Sequence, residues 1–84
     1  MKPRSSKPGD KNMIGANIVR IRKEKNLKQK DLLARLQTKG IEISATGLSQ
    51  LEGQYRKATD YELLAVSESL HVDFSDLLRR DVVE

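Results

Sequence analysis

From Met13 onward the apolar positions of the chain recur at helical spacing. Met13, Ile14, Ile18 and Ile21 share one face, with Asn17, Arg20, Lys23 and Glu24 between them. This predicts a first helix that ends near Lys25, where Asn26 stops it. Asn12 is suited to cap its start. A second helix, about Gln29 to Lys39, carries Leu32, Leu33 and Leu36 on its buried face, and Gly40 suits the left-handed residue beyond its end. Ile41-Glu42-Ile43 alternates in polarity but is too short and isolated to pair as a strand. Ser44 opens a third helix, Ala45 to Glu52, with Leu48 and Leu51 inward and Gly53 ending it. Thr59-Asp60-Tyr61-Glu62 has capping-box spacing. The fourth helix it starts runs to about Leu70, with Leu63, Leu64, Val66 and Leu70 on its apolar side. Asp73 and Asp76 start a short fifth helix bearing Phe74, Leu77 and Leu78. No hairpin pattern occurs. The chain therefore reads as all-α, with five short helices over residues 13–78. Residues 1–12 form a basic, disordered arm too polar to offset its own ordering entropy, and residues 79–84 a C-terminal tail.

Composition narrows the function. The 84 residues suffice for one small domain. Cysteine is absent and there is one histidine, so no thiolate or multi-imidazole metal site is expected. The run Leu63-Leu64-Ala65-Val66 is far below the ~20 apolar residues of a membrane span. No apolar segment follows the basic first residues, so no secretory signal is expected and the compartment is read as cytoplasmic. Neither G-x-G-x-x-G nor G-x-x-x-x-G-K occurs. Ser44 and Ser49 lie about twenty residues from His71, which sits at a helix end and reads as a surface or capping residue. Paired carboxylates occur only as the helix-start acids Asp60/Glu62 and Asp73/Asp76, where they complement helix dipoles. The expectation is no enzyme and no cofactor.

Charge is unevenly distributed. Residues 1–57 carry a balance of +9 and residues 58–84 a balance of −5, within a net charge of +4. The basic part includes Lys2, Arg4, Lys7 and Lys11 of the arm. Its third helix exposes small and amide side chains, Ala45, Thr46, Ser49 and Gln50, which fit a major groove without steric conflict. Gln pairs bidentately with adenine, and Ala and Thr touch the thymine methyl. Arg56 and Lys57 follow at once. The same residues equally suit the wet face of an ordinary helix and charges that keep helices soluble. Pattern alone weighs these readings about evenly.

The order of tracts resembles the Cro/phage-repressor, XRE-like helix-turn-helix family. The matching stretches are Ile14-Gly15, Ile18, Ile21 to Gln29, Leu32 and Leu36, Ser44 and Leu48 to Glu52, and Leu63-Leu64, Val66, Leu70, Val72 and Leu77. They span about residues 13–78. No single motif is specific; their order and spacing are. The resemblance implies a lambda-repressor-like domain that binds double-stranded DNA, as a bacterial or phage, nucleoid-associated transcriptional regulator of repressor type. It implies base contacts from Ala45, Thr46 and Gln50, with Ser49 a weaker candidate. It implies phosphate contacts from Gln29, Ser44, Tyr55, Arg56 and Lys57, and a brace from Gln29 to the third helix. It further implies an Arg22–Glu52 salt bridge and a homodimer at least on DNA, with half-sites about 34 Å apart.

The chain departs from the family pattern in several places. Lys28 replaces the usual Thr cap. The segment between Leu36 and Ser44 is longer than the usual tight turn, with Ile41 or Ile43 expected to be buried. Gly47 interrupts the third helix, where it would permit close approach to the second helix or to DNA. Gly53-Gln54 reverses the expected order. With few long side chains on the third helix, shape-based readout is a natural supplement. The other function considered is an antitoxin-like or adaptor module that meets a protein partner through the acidic C-terminal part, including Val82 and Val83.

Overall fold

In the computed structural model, which describes residues 9–79, the chain folds into five helices: α1 (Gly15–Glu24), α2 (Gln29–Thr38), α3 (Ala45–Glu52), α4 (Asp60–Leu70) and α5 (Phe74–Leu77). No strand occurs among the described residues. α1 packs against α3, α4 and α5, and α2 packs against α3 and α4. One core joins them, built from Ile14, Ile18 and Ile21 of the first helical segment, Leu32 and Leu36 of α2, Ile43, Leu48 and Leu51, Ala65, Val66 and Leu70 of α4, and Leu77. Four expected apolar positions differ. Leu64, expected on the apolar side of α4, is exposed, and so is Met13; Leu33 and Leu63 are only half-buried. Two neighbouring leucines at 63 and 64 diverge by about 100° on a helix, so both cannot face one core.

Four helices end alike. In each, an amide just past the helix end bonds back over the last turn to the carbonyl five residues earlier: Leu27 N to Arg22 O at 2.8 Å, Ile41 N to Leu36 O at 3.1 Å, Tyr55 N to Gln50 O at 2.9 Å and Val72 N to Ser67 O at 3.0 Å. This is the Schellman arrangement, which needs one left-handed residue. Asn26, Gly40, Gln54 and His71 supply it, each with positive φ. Gly40 does so as expected. At α3 the left-handed residue is Gln54 and not Gly53, whose φ of −82° stays helical. A Cβ at Gly53 would lie 2.7 Å from the exposed Tyr55 ring, which would have to turn aside.

The starts of the helices are less uniform. α1 begins at Gly15, two residues later than the apolar pattern suggests, and Asn12 still serves it: Oδ1 accepts from the amides of Ile14 and Gly15. Thr59 and Glu62 form the reciprocal capping box of α4. Lys28 has no acceptor for the α2 amides, and only the reverse bond, Lys28 N to the Asp31 carboxylate at 2.9 Å, is made. Lys28→Ser is accordingly expected to stabilise the domain by about 1 kcal/mol, read as a rise of several degrees in a thermal melt. No rise would mean that the α2 start is already satisfied.

The segment between α2 and α3 runs out as a loop in which Ile43 is buried and Ile41 half-buried, and Gln37 Nε2 fixes it by donating to Ile43 O at 3.0 Å. Gly47 makes no close approach to α2: a Cβ there would meet only Ile43 and Ser44.

The N-terminal segment departs most from expectation. Residues 9–12, assigned by composition to the disordered arm, run against the end of α3. Gly9 N bonds to Gly53 O at 2.9 Å and Lys11 N to Gln54 O at 3.0 Å. Backbone pairing, invisible to a count of apolar side chains, anchors them. The arm cations Lys2, Arg4 and Lys7 lie outside the described residues, as do Val82 and Val83 of the tail. At the other end, buried Asn17 donates from Nδ2 to the carbonyls of Leu77 at 2.7 Å and Arg79 at 3.0 Å, fastening α5 to α1.

Candidate nucleic-acid interface

α3 has one buried and one open face. Leu48, Leu51 and Glu52 are buried, whereas Ser44, Ala45, Thr46, Ser49 and Gln50 are exposed. The open ridge itself bears no charged group. Ser44 Oγ accepts from Gly47 N at 3.0 Å, which caps the helix and leaves the hydroxyl proton free to donate outward.

Beneath the ridge is a polar bolt. The buried Glu52 carboxylate meets Arg22 twice, Nε to Oε2 and Nη2 to Oε1, both at 3.0 Å. Arg22 Nη1 also donates to Leu27 O at 3.0 Å, closing the turn after α1. Gln29 Nε2 donates to Glu52 Oε1 at 2.9 Å, and Gln29 Oε1 accepts from Ser49 Oγ at 3.3 Å. A carboxylate at a helix C-terminus faces the negative end of the dipole. Here three charge-assisted bonds offset that cost and the cost of burial. The ends of α1, α2 and α3 are thereby fixed to one another. Ser49 spends its proton on Gln29, so toward a ligand it has acceptor capacity only.

Past the helix, Tyr55 and Lys57 are exposed, but Arg56 is not free as the sequence suggested. Its guanidinium grips both Glu62 oxygens at 3.0 and 2.8 Å, and donates to Lys57 O at 2.9 Å and Gly47 O at 3.3 Å. Burial alone would raise the Glu62 carboxyl's pKa; Arg56, together with the Thr59 amide and hydroxyl, outweighs that and holds it below its ordinary value. Arg56 is thus a clamp joining α3, the loop and the start of α4, because the capping box of α4 directs a carboxylate at it. Sequence spacing could not reveal that partner.

The other cations near the ridge are Lys28 and Lys30, exposed on either side of Gln29. The sequence marked Lys28 only as a poor cap and Lys30 not at all, although their position at the start of α2 was visible. Asn12 and Gln54 were likewise missed as site residues. Asn12 Nδ2 donates to Leu51 O at 3.1 Å and Arg56 O at 2.7 Å, and Gln54 Nε2 donates to Asn12 O at 2.8 Å. A groove of about 620 Å³ beside this segment, lined in part by Met13, Leu63 and Leu78, has Lys11 and Lys57 balanced by Asp10 and Asp60. No helix among the described residues is long and apolar enough to cross a membrane. No family model, curated protein or solved structure matches the chain.

Proposed function

We propose that this protein binds double-stranded DNA in a sequence-dependent manner, as a transcriptional regulator of repressor type, with α3 lying in the major groove. The observation that carries the reading is the uncharged, exposed ridge Ala45-Thr46-Ser49-Gln50 on a helix whose opposite side is bolted down through Glu52, Arg22 and Gln29. A short helix held rigidly and edged with small and amide groups suits base-edge contact. Gln50 serves as the main hydrogen-bonding reader, Ala45 and Thr46 as groove-fitting contacts, and Ser49 as an acceptor. Phosphate contacts fall to Ser44, Tyr55 and Lys57. Gln29 adds its remaining N–H, beside the start of α2, where no side chain caps the first amides. Arg56 supports this set from behind. The chain acts as a homodimer on DNA, each copy reading one half-site.

The test starts from duplexes selected out of a random pool. Affinity is expected to fall steeply with salt, by about 0.9 in log–log slope per phosphate neutralised. Gln50→Ala is expected to lose about 1–3 kcal/mol of discrimination at one base pair. Lys57→Ala is expected to weaken all duplexes alike and to lower the salt slope by about one. A flat salt response, or identical behaviour of the two variants, would remove the assignment.

A second reading, contact with a protein partner through the acidic C-terminal part, has its own support. Tyr61 and Leu64 of α4, with Phe74 and Leu78 at α5, are exposed apolar side chains. The two readings draw mainly on different helices, α3 against α4 and α5, and can coexist.

A further inference from the structure

The loop that follows α3 turns three consecutive-region carbonyls, those of Gly53, Gln54 and Arg56, toward the segment 9–12. Gly9 N, Lys11 N and Asn12 Nδ2 satisfy them in that order. The carbonyl of Leu51, in the last turn of α3, accepts from both Asn12 Nδ2 and Gln54 N. These oxygens are the negative end of the α3 dipole and its continuation. Left unpaired, they would add negative partial charge to the loop that carries Tyr55 and Lys57, which disfavours an anion there.

Asn12 is the hub of this arrangement. Its side chain uses its full capacity, two acceptor bonds from Ile14 N and Gly15 N and two donor bonds to Leu51 O and Arg56 O. Its carbonyl takes Gln54 Nε2, and Gln54 is itself buried and held at positive φ. One asparagine therefore ties the start of α1, the end of α3 and the loop to a single geometry.

We propose that Asn12 and Gln54 are positioning residues for nucleic-acid binding: they hold the Tyr55–Lys57 loop in its phosphate-ready form and turn its carbonyls away from the ligand. The inference rests on the DNA-binding reading above. Neither residue touches DNA; both act through the loop. Preordering of this kind spares the cost of ordering the loop during binding.

The discriminating variant is Asn12→Ser, because serine keeps an acceptor for the α1 amides and replaces the two amide donors with a single, shorter hydroxyl that cannot serve both Leu51 O and Arg56 O. Wild type and variant are titrated with the selected duplex and with an unrelated one across a salt series, below the melting range of both proteins. Asn12→Ser is expected to bind both duplexes about three- to tenfold more weakly, with base preference unchanged and the log–log salt slope shallower by about 0.9. The loss is expected to vanish in a Tyr55→Ala/Lys57→Ala background, since a residue that acts only through the loop has nothing left to position. A merely structural residue would lower the melting temperature and leave slope and background dependence untouched; that result overturns the inference, as does a full loss that persists without Tyr55 and Lys57. If Asn12→Ser does not fold, Gln54→Gly takes its place, removing the bond to Asn12 O and accepting positive φ freely; it is expected to give the same pattern. Failure of the wild type to bind any duplex at low salt would instead defeat the DNA-binding reading, and this inference with it.

Discussion

Glu52→Ala is expected to cost about 3–5 kcal/mol, close to the whole stability of about 5 kcal/mol for a domain of this size. The substitution strands Arg22, whose side chain is only 12% exposed, and removes the acceptor of Gln29. Arg22→Ala is expected to be equally damaging. It leaves the Glu52 carboxylate, 6% exposed, at the negative end of α3 with Gln29 alone, and frees the turn at Leu27. Arg22→Lys is expected to recover little, because an ammonium cannot make the paired contact to both oxygens and also reach Leu27 O. Replacing both partners, Arg22→Met with Glu52→Leu, is expected to restore much of the loss, since no buried charge then lacks a partner. Urea unfolding followed by circular dichroism checks all four. A cost below about 1 kcal/mol for either single alanine variant, the range of a solvent-screened surface pair, would show that the bolt is not a structural requirement.

Gly15→Val is expected to destabilise the domain by about 3 kcal/mol or more. A Cβ at Gly15 would lie 2.5 Å from Leu51 O and 2.6 Å from Glu52 O. Both are backbone atoms at the end of α3, so no side chain can swing aside; α1 must lift off α3. That movement would open the core at Ile14 and Ile18 and pull on the Arg22–Glu52 contact. Gly47→Ala is the control. A Cβ there would meet Ile43 Cγ1 at 3.3 Å and Ser44 Oγ at 3.4 Å, contacts a small adjustment relieves, while the helix gains up to about 1 kcal/mol of propensity. It is expected to stay within about 1 kcal/mol of wild type in the same unfolding assay. Comparable losses at both positions would contradict the close α1–α3 approach.

These two sites explain how the molecule divides its work. Apolar spacing and cap chemistry are local, and they were legible along the chain. The limits of α3 and α4, Ser44 and Thr59 as caps, the left-handed Gly40 and the five-helix, strand-free layout of the described residues all follow from neighbours within a turn. The exposure of Ala45, Thr46, Ser49 and Gln50 also follows, because Leu48 and Leu51 fix which side of α3 faces inward.

What required the tertiary structure is where polar groups find distant partners. Arg56 and Lys57 are adjacent and alike in charge, yet one is clamped to Glu62 and the other stays open. Gly15 looks dispensable in a helical pattern until the α3 carbonyls come within reach. Asn12 reads as a local cap, and only folding brings Leu51 O and Arg56 O, 39 and 44 residues away, to its other side. Hydrophobic periodicity reports which face a residue occupies, because burial averages over many neighbours. A hydrogen bond or an ion pair depends on one partner at one distance and direction, and that geometry exists only once the helices are assembled.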